Sequence, residues 1–342
     1  MKRVLCPTKF VVFVAVLATL GLLIGCLDNE LLVQVKPAIT RAARSTTAVG
    51  EIPLLPKTKT LPSFENGGVI FILHIPKCGG TTIRKGFQGR MNVKYLFSSN
   101  RNKYDHQVQS MNQWVQYGPE DNQIGIFEVH ARNNPTLLDL CDQVKEWRRI
   151  ANENKIPFFA FTVLREPTSF AISYFNYYHG KRWEKRRFEY LPGHNMTEDN
   201  FIRTMHFNPQ CLFLTRSEQA YQRNFPEKRE NLTEVECKTA LECLISNMDW
   251  VGTTECLRNE TIPLLSYLID SSERSQTETM GSYQEAKEKE VKDENGSYKF
   301  FTLDDASMST KEYLDEMTRW DQHMYNKIRK VYSISDFDFG SS

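Results

Sequence analysis

Val69-Ile70-Phe71-Ile72-Leu73-His74-Ile75-Pro76-Lys77-Cys78-Gly79-Gly80-Thr81-Thr82 is the stretch from which the fold is read. Its first five residues are an unbroken apolar run, which suits a strand covered on both faces in a parallel sheet. A glycine-rich turn follows, and after it a helical pattern. In that setting the two glycines let backbone amides approach an anion, and the helix amino terminus adds its dipole. Lys77 supplies a point charge and Thr81 and Thr82 supply hydroxyl donors, so the segment reads as a cradle for phosphate or sulfate. It is not a Walker A loop. There the lysine follows the second glycine and precedes Ser or Thr, whereas Lys77 precedes both Gly79 and Gly80.

Working outward, Ile124 to Val129 and Phe158 to Leu164 are further apolar runs that read as buried strands. The second feeds a helix that opens at Pro167 and runs, rich in aromatics, through to Gly180. Strands alternating with helices predict an α/β fold, a P-loop-like doubly wound parallel sheet flanked by helices. Near the end, Ser309 with Glu312 predicts a capped final helix whose apolar stripe is Tyr313, Leu314, Met317, Met324, Ile328 and Val331. Residues 271–297 are mostly charged or small and polar, and are expected to form a surface insertion. No internal repeat is present.

A second chemical signal sits at the end of the Phe158 to Leu164 run. Arg165 there, and Ser173 eight residues later on the following helix, are able to face one crevice and hold one phosphate between a guanidinium and a hydroxyl. A third lies at the end of the Ile124 to Val129 run, where His130 is the first candidate for a general base, with Glu128 in reserve. His74 reads as a structural residue of the loop.

Together these residues resemble the PAPS-dependent sulfotransferases (PAPS, 3'-phosphoadenosine 5'-phosphosulfate), specifically the membrane-anchored glycan enzymes related to heparan sulfate and uronyl 2-O-sulfotransferases. The likeness spans roughly residues 68–260. In that family a HIPKTGGT-like loop binds the 5'-phosphosulfate, and an arginine followed eight positions on by a serine binds the 3'-phosphate. The resemblance therefore implies donor-binding roles for Lys77, Cys78, Gly79, Gly80, Thr81 and Thr82 at one end, and for Arg165 and Ser173 at the other. Cys78 departs from the family's usual threonine. Phe127-Glu128-Val129-His130 resembles the strand end that carries the family's catalytic histidine, with Glu128 in place of a first histidine.

Also implied are PAP as product, no metal, a glycan or glycosaminoglycan acceptor, no nucleic-acid partner and a Golgi location. Weaker likenesses place Trp250 to Glu255 near the adenine and Asn208-Pro209-Gln210 in a polar turn near the acceptor. The basic run Lys181 to Arg187, with Trp183 inside it, suits an acidic polysaccharide. Two rival readings are a nucleotide kinase-like NTP enzyme and a noncatalytic carbohydrate-binding protein on the same fold.

The rest of the chain bounds the compartment. Lys and Arg together number 43 against 42 for Asp and Glu, so overall charge points to no polyanion and basic surface must be local. Phe10 to Leu27 is an uninterrupted apolar stretch of 18 residues behind Lys2, Arg3 and Lys9. By the positive-inside rule it predicts a signal anchor that spans the membrane with the amino terminus cytoplasmic. A cleaved signal peptide, or a lipoprotein signal at Leu23-Ile24-Gly25-Cys26, are the alternatives.

The expected organisation is a cytoplasmic tail (1–9), anchor (10–27), stem (28–66) and lumenal catalytic domain (67–342). Six cysteines beyond the anchor, and sequons at Asn195, Asn231, Asn259 and Asn295, fit an oxidising lumen. Short loop closure predicts a Cys237–Cys243 bridge. Cys211 is expected to pair with Cys256, and Cys78, in a loop whose geometry its anion dictates, to remain a thiol.

Overall fold

The chain divides into two units, Met1–Pro53 and Leu54–Ser342. The computed structural model describes residues 59–87, 90, 92–99, 101–131, 135–181, 207–216, 232–270, 302–333, 335 and 337–338, all in the second. The tail, the anchor span, the insertion at 271–297, the basic residues 182–187 and three of the four sequons lie outside the described residues. Among the described residues no helix is long and apolar enough to cross a membrane.

At the centre is a five-stranded parallel sheet flanked by helices. Its strands are β2 (Gly68–His74), β3 (Val93–Ser98), β4 (Ile124–His130), β5 (Phe158–Leu164) and β6 (Trp250–Thr253), in the spatial order β3-β4-β2-β5-β6. Every residue of β2 and β5 is buried, as expected of apolar runs covered on both faces. A short parallel pair, β1 (Lys59–Thr60) with β7 (Phe337–Asp338), joins the two ends of the described chain. This pair and the fully buried Phe64 place folded residues inside the segment expected to be a stem.

The helices are α1 (Gly80–Phe87), α2 (Arg101–Tyr117), α3 (Leu137–Glu153), α4 (Pro167–Lys181), α5 (Pro209–Thr215), α6 (Glu234–Asn247), α7 (Ile262–Asp270), α8 (Met308–Met317) and α9 (Arg319–Val331). Capping boxes start α3 (Thr136 with Asp139) and α6 (Thr233 with Glu236), each satisfying amides that the helix leaves open. The final helical segment is two helices rather than one. Ser307, not Ser309, caps α8 by accepting from the Thr310 amide. The break falls at Thr318, whose hydroxyl donates back to the Leu314 carbonyl at 2.8 Å.

Phe71, Phe127 and Trp147 form the aromatic heart of the core, with ring centroids 5.5–6.1 Å apart. Two disulfides tie the helices together: Cys141–Cys243 joins α3 to α6, and Cys211–Cys237 joins α5 to α6. Both expected pairings are corrected. Cys237 and Cys243 lie six residues apart on one helix, an axial rise of about 9 Å, beyond the reach of a disulfide. Cys256 and Cys78 are thiols.

Candidate active site

From the central strand β2 the chain passes to β3 and β4 on one side, and later returns to β5 and β6 on the other. That reversal is the topological switch point of the sheet, and α/β sheets bind ligands at the carboxyl ends of the strands beside it. His74, Arg165 and His130 all stand at this edge, at or just beyond the ends of β2, β5 and β4.

The loop after β2 turns through two left-handed residues, Lys77 (φ 65°) and Gly79 (φ 81°). A non-glycine residue there is uncommon, and such backbone clusters at ligand sites. The Gly79 carbonyl accepts from the Thr82 and Ile83 amides, which starts α1 directly behind the loop. Thr81 is exposed and Thr82 half-buried on the first turn. Gly80 has a specific steric reason: a Cβ there would lie 2.3 Å from Nε2 of His74, so the imidazole occupies the space of the missing side chain. Lys77 reaches over the Tyr177 ring, its Nζ 4.8 Å from the centroid.

Cys78 is buried against Gln210 of α5. Burial pushes its thiol well above the usual value, and Glu255 and Asp321 add to this against the opposing Arg165 and Lys77. It therefore stays protonated and donates to Gln210 Oε1 at 3.6 Å. Through this contact the thiol braces the loop against α5.

Arg165 is joined to this loop directly, its Nη1 donating to the Lys77 carbonyl at 3.3 Å. Its own backbone is clamped by Gln210, whose Oε1 accepts from the Arg165 amide (2.9 Å) and whose Nε2 donates to the Arg165 carbonyl (2.7 Å). Behind Gln210 the two helix starts cap each other. The Asp321 carboxylate accepts from the Gln210 and Cys211 amides of α5, while Asn208 Oδ1 accepts from the Trp320 and Asp321 amides of α9. Asn208 and Gln210 are buried, and through Gln210 this turn holds the Arg165 backbone. Ser173 lies on α4, and its buried Oγ has no hydrogen-bond partner among the described residues.

The Trp250 to Glu255 segment comprises β6 and the turn beyond it. A Cβ on Gly79 would meet Leu257 at 3.0 Å and Thr254 at 3.7 Å, so this turn packs closely against the loop. Glu255 accepts from the Glu166 amide and from the Tyr325 hydroxyl.

His130 ends β4 directly opposite His74 of β2. The two imidazoles meet edge to face with centroids 4.5 Å apart, and the Ala131 amide donates to the His74 carbonyl. Glu128 is almost wholly buried and fully engaged. It lies 2.5 Å from His74 Nδ1, takes Nε and Nη2 of Arg84 at 2.9 and 2.5 Å, and accepts from the Tyr95 hydroxyl. Burial alone would raise this carboxyl, but hydrogen bonds from Arg84, His74 and Tyr95 hold it down at about 2. A carboxylate so poorly basic, with both oxygens occupied, is unsuited to the reserve role of general base.

Asp321, Arg84 and Tyr95 are the site residues that sequence reasoning missed, and the sequence reading places Gln210 near an acceptor, not as the clamp of Arg165. The i, i+2 alternation of Glu128 and His130 does place both on one face of β4. Among the described residues no cluster of His, Cys, Asp and Glu is arranged to hold a metal ion. In comparisons with protein-family models and with curated proteins, the chain matches none.

Proposed function

We propose that this protein transfers a sulfuryl group from PAPS to a hydroxyl of a glycan, of glycosaminoglycan type with 2-O-like chemistry, at the carboxyl ends of β2, β4 and β5. The observation that carries the reading is the hydrogen bond from Arg165 to the Lys77 carbonyl, which joins two anion-binding motifs 88 residues apart. A donor with a charged group at each end of its nucleoside needs two such sets in one crevice. The buried Ser173 Oγ, without a hydrogen-bond partner among the described residues, fits the same donor. The order of the sheet, with the loop-bearing strand in the middle, fits a P-loop-like arrangement.

In this reading Lys77, the loop amides and the hydroxyls of Thr81 and Thr82 hold the 5'-phosphosulfate, while Arg165 and Ser173 hold the 3'-phosphate. His130 takes the proton from the acceptor hydroxyl as its oxygen bonds to sulfur. The bond from sulfur to the bridging oxygen breaks, and PAP leaves with the electron pair. Lys77 and the amides stabilise the charge that develops there. The two disulfides suit an oxidising lumen, and with the predicted anchor they support a type II protein of the Golgi membrane.

The test is incubation of the detergent-purified full chain with sulfur-labelled PAPS and a panel of desulfated glycans. Label enters a glycan with wild type and is lost with Lys77→Ala and His130→Ala. PAP affinity falls for the lysine variant and is kept by the histidine one. Binding of AMP or ATP as tight as that of PAP would transfer support to the nucleotide kinase-like reading.

A further inference from the structure

Glu128 sits at the root of two arms that flank His130. The first is His74, held at Nδ1 by Glu128 and touching His130 edge to face at 4.5 Å. The second runs through Arg84. Its guanidinium donates twice to Glu128 and lies 3.4 Å over the Phe97 ring, and that ring meets His130 edge to face at 6.2 Å. Tyr95, on the same strand as Phe97, donates to the same carboxylate. One buried anion thus anchors both rings on either side of the imidazole.

From this geometry we infer that Glu128 is a positioning residue, which fixes the ring of His130 through His74 on one side and Arg84–Phe97 on the other. The inference rests on the proposal that His130 is the base. An ionised carboxylate only accepts, so His74 must carry its proton on Nδ1, and the orientation of that ring is set. Arg84 is likewise set by two parallel hydrogen bonds, and a planar guanidinium stacked on Phe97 leaves that ring little freedom. Neutral Gln at 128 offers one acceptor to three donors and turns an amide N–H toward Arg84, so both arms loosen together. A base displaced by about 1 Å loses on the order of a hundredfold in rate, while Arg165 and Ser173, which neither arm includes, keep their places.

The test uses the full chain in detergent and two readouts. In transfer assays, Glu128→Gln is expected to lower kcat by tenfold to a hundredfold (on the order given above), with KM for PAPS and PAP affinity close to wild type. Arg84→Lys keeps the charge but loses the stacking, and Phe97→Leu leaves the ion pairs intact but removes one wall. Both should show the same split in smaller measure, so the test stands even if the glutamine variant fails to fold. In nitrogen-15 spectra of labelled histidines, wild-type His130 should give one defined pair of ring signals that averages or broadens in these variants. Unchanged kcat and an unchanged His130 signature in Glu128→Gln and Phe97→Leu would overturn the inference. Absence of transfer by wild type would count against the sulfotransferase reading instead, and the histidine spectra would still decide the positioning role.

Discussion

Arg165 Nη1 donates to the carbonyl of Lys77, so the guanidinium and the loop lysine belong to one hydrogen-bonded unit across the crevice. Hydrogen bonds to charged groups contribute roughly 1.5 to 3 kcal/mol. Arg165→Ala should therefore weaken PAP binding by about tenfold or more. AMP, which has no 3'-phosphate, should bind the variant nearly as it binds wild type. Titration calorimetry with both nucleotides measures this, and an equal loss for both would mean that Arg165 acts only by bracing the loop.

Gln210 provides both partners of the Arg165 backbone and is fully buried. Gln210→Ala strands an amide and a carbonyl, at about 1 to 3 kcal/mol for each buried polar group left unpaired. Chemical denaturation should show that loss, and PAP affinity should fall with it because Arg165 is no longer aimed. Gln210→Glu restores the acceptor but not the donor, and should recover only part of either.

Gly80→Ala drives a Cβ to within 2.3 Å of His74 Nε2. His74 is held by Glu128 and cannot retreat freely, so the first turn of α1 must move. The expected cost is about 1 to 3 kcal/mol, typical of overpacking. PAP affinity, read by calorimetry, should drop at the same time. A variant with wild-type stability and affinity would show that His74 is free to rotate away.

Two buried carboxyls tilt stability with pH in opposite directions. The folded-state value of Glu128 is lowered to about 2 from 4.5, so its contribution is complete above the unfolded value and is lost as pH falls through that window. Burial raises Asp321 to about 7 from 3.8, although the Cys211 and Gln210 amides pull it down. The native state then binds the extra proton, and stability declines as pH rises from about 4 to 7. Urea denaturation at a series of pH values should show a neutral-side decline that Asp321→Asn flattens and an acid-side decline that Glu128→Gln reduces. An unchanged neutral slope in Asp321→Asn would place its ionisation elsewhere.

Local pattern in the chain was sufficient for the strand, loop and helix at 69–82, for the strands ending at His130 and Leu164, and for the helix opened by Pro167. In each case the signal is carried by adjacent residues, an apolar run followed by glycine or proline, and needs no knowledge of what lies opposite. The edge strands were harder. Val93–Ser98 is mostly half-buried and mixes Lys94 and Tyr95 into its apolar residues, and Trp250–Thr253 is only four residues long.

The partners came from topology. Gln210 meets Arg165 across 45 residues of sequence, Asp321 meets Gln210 across 111, and Arg84 meets Glu128 across 44. The cysteines make the same point, because loop length favoured Cys237 with Cys243 while the helix on which both lie keeps them apart and presents Cys243 to Cys141 on α3. Hydrophobic periodicity reports how a segment is buried. Which buried donor meets which acceptor depends on how whole segments are stacked, and for Glu128 that stacking replaced the free carboxylate expected at a strand end with one surrounded by three donors.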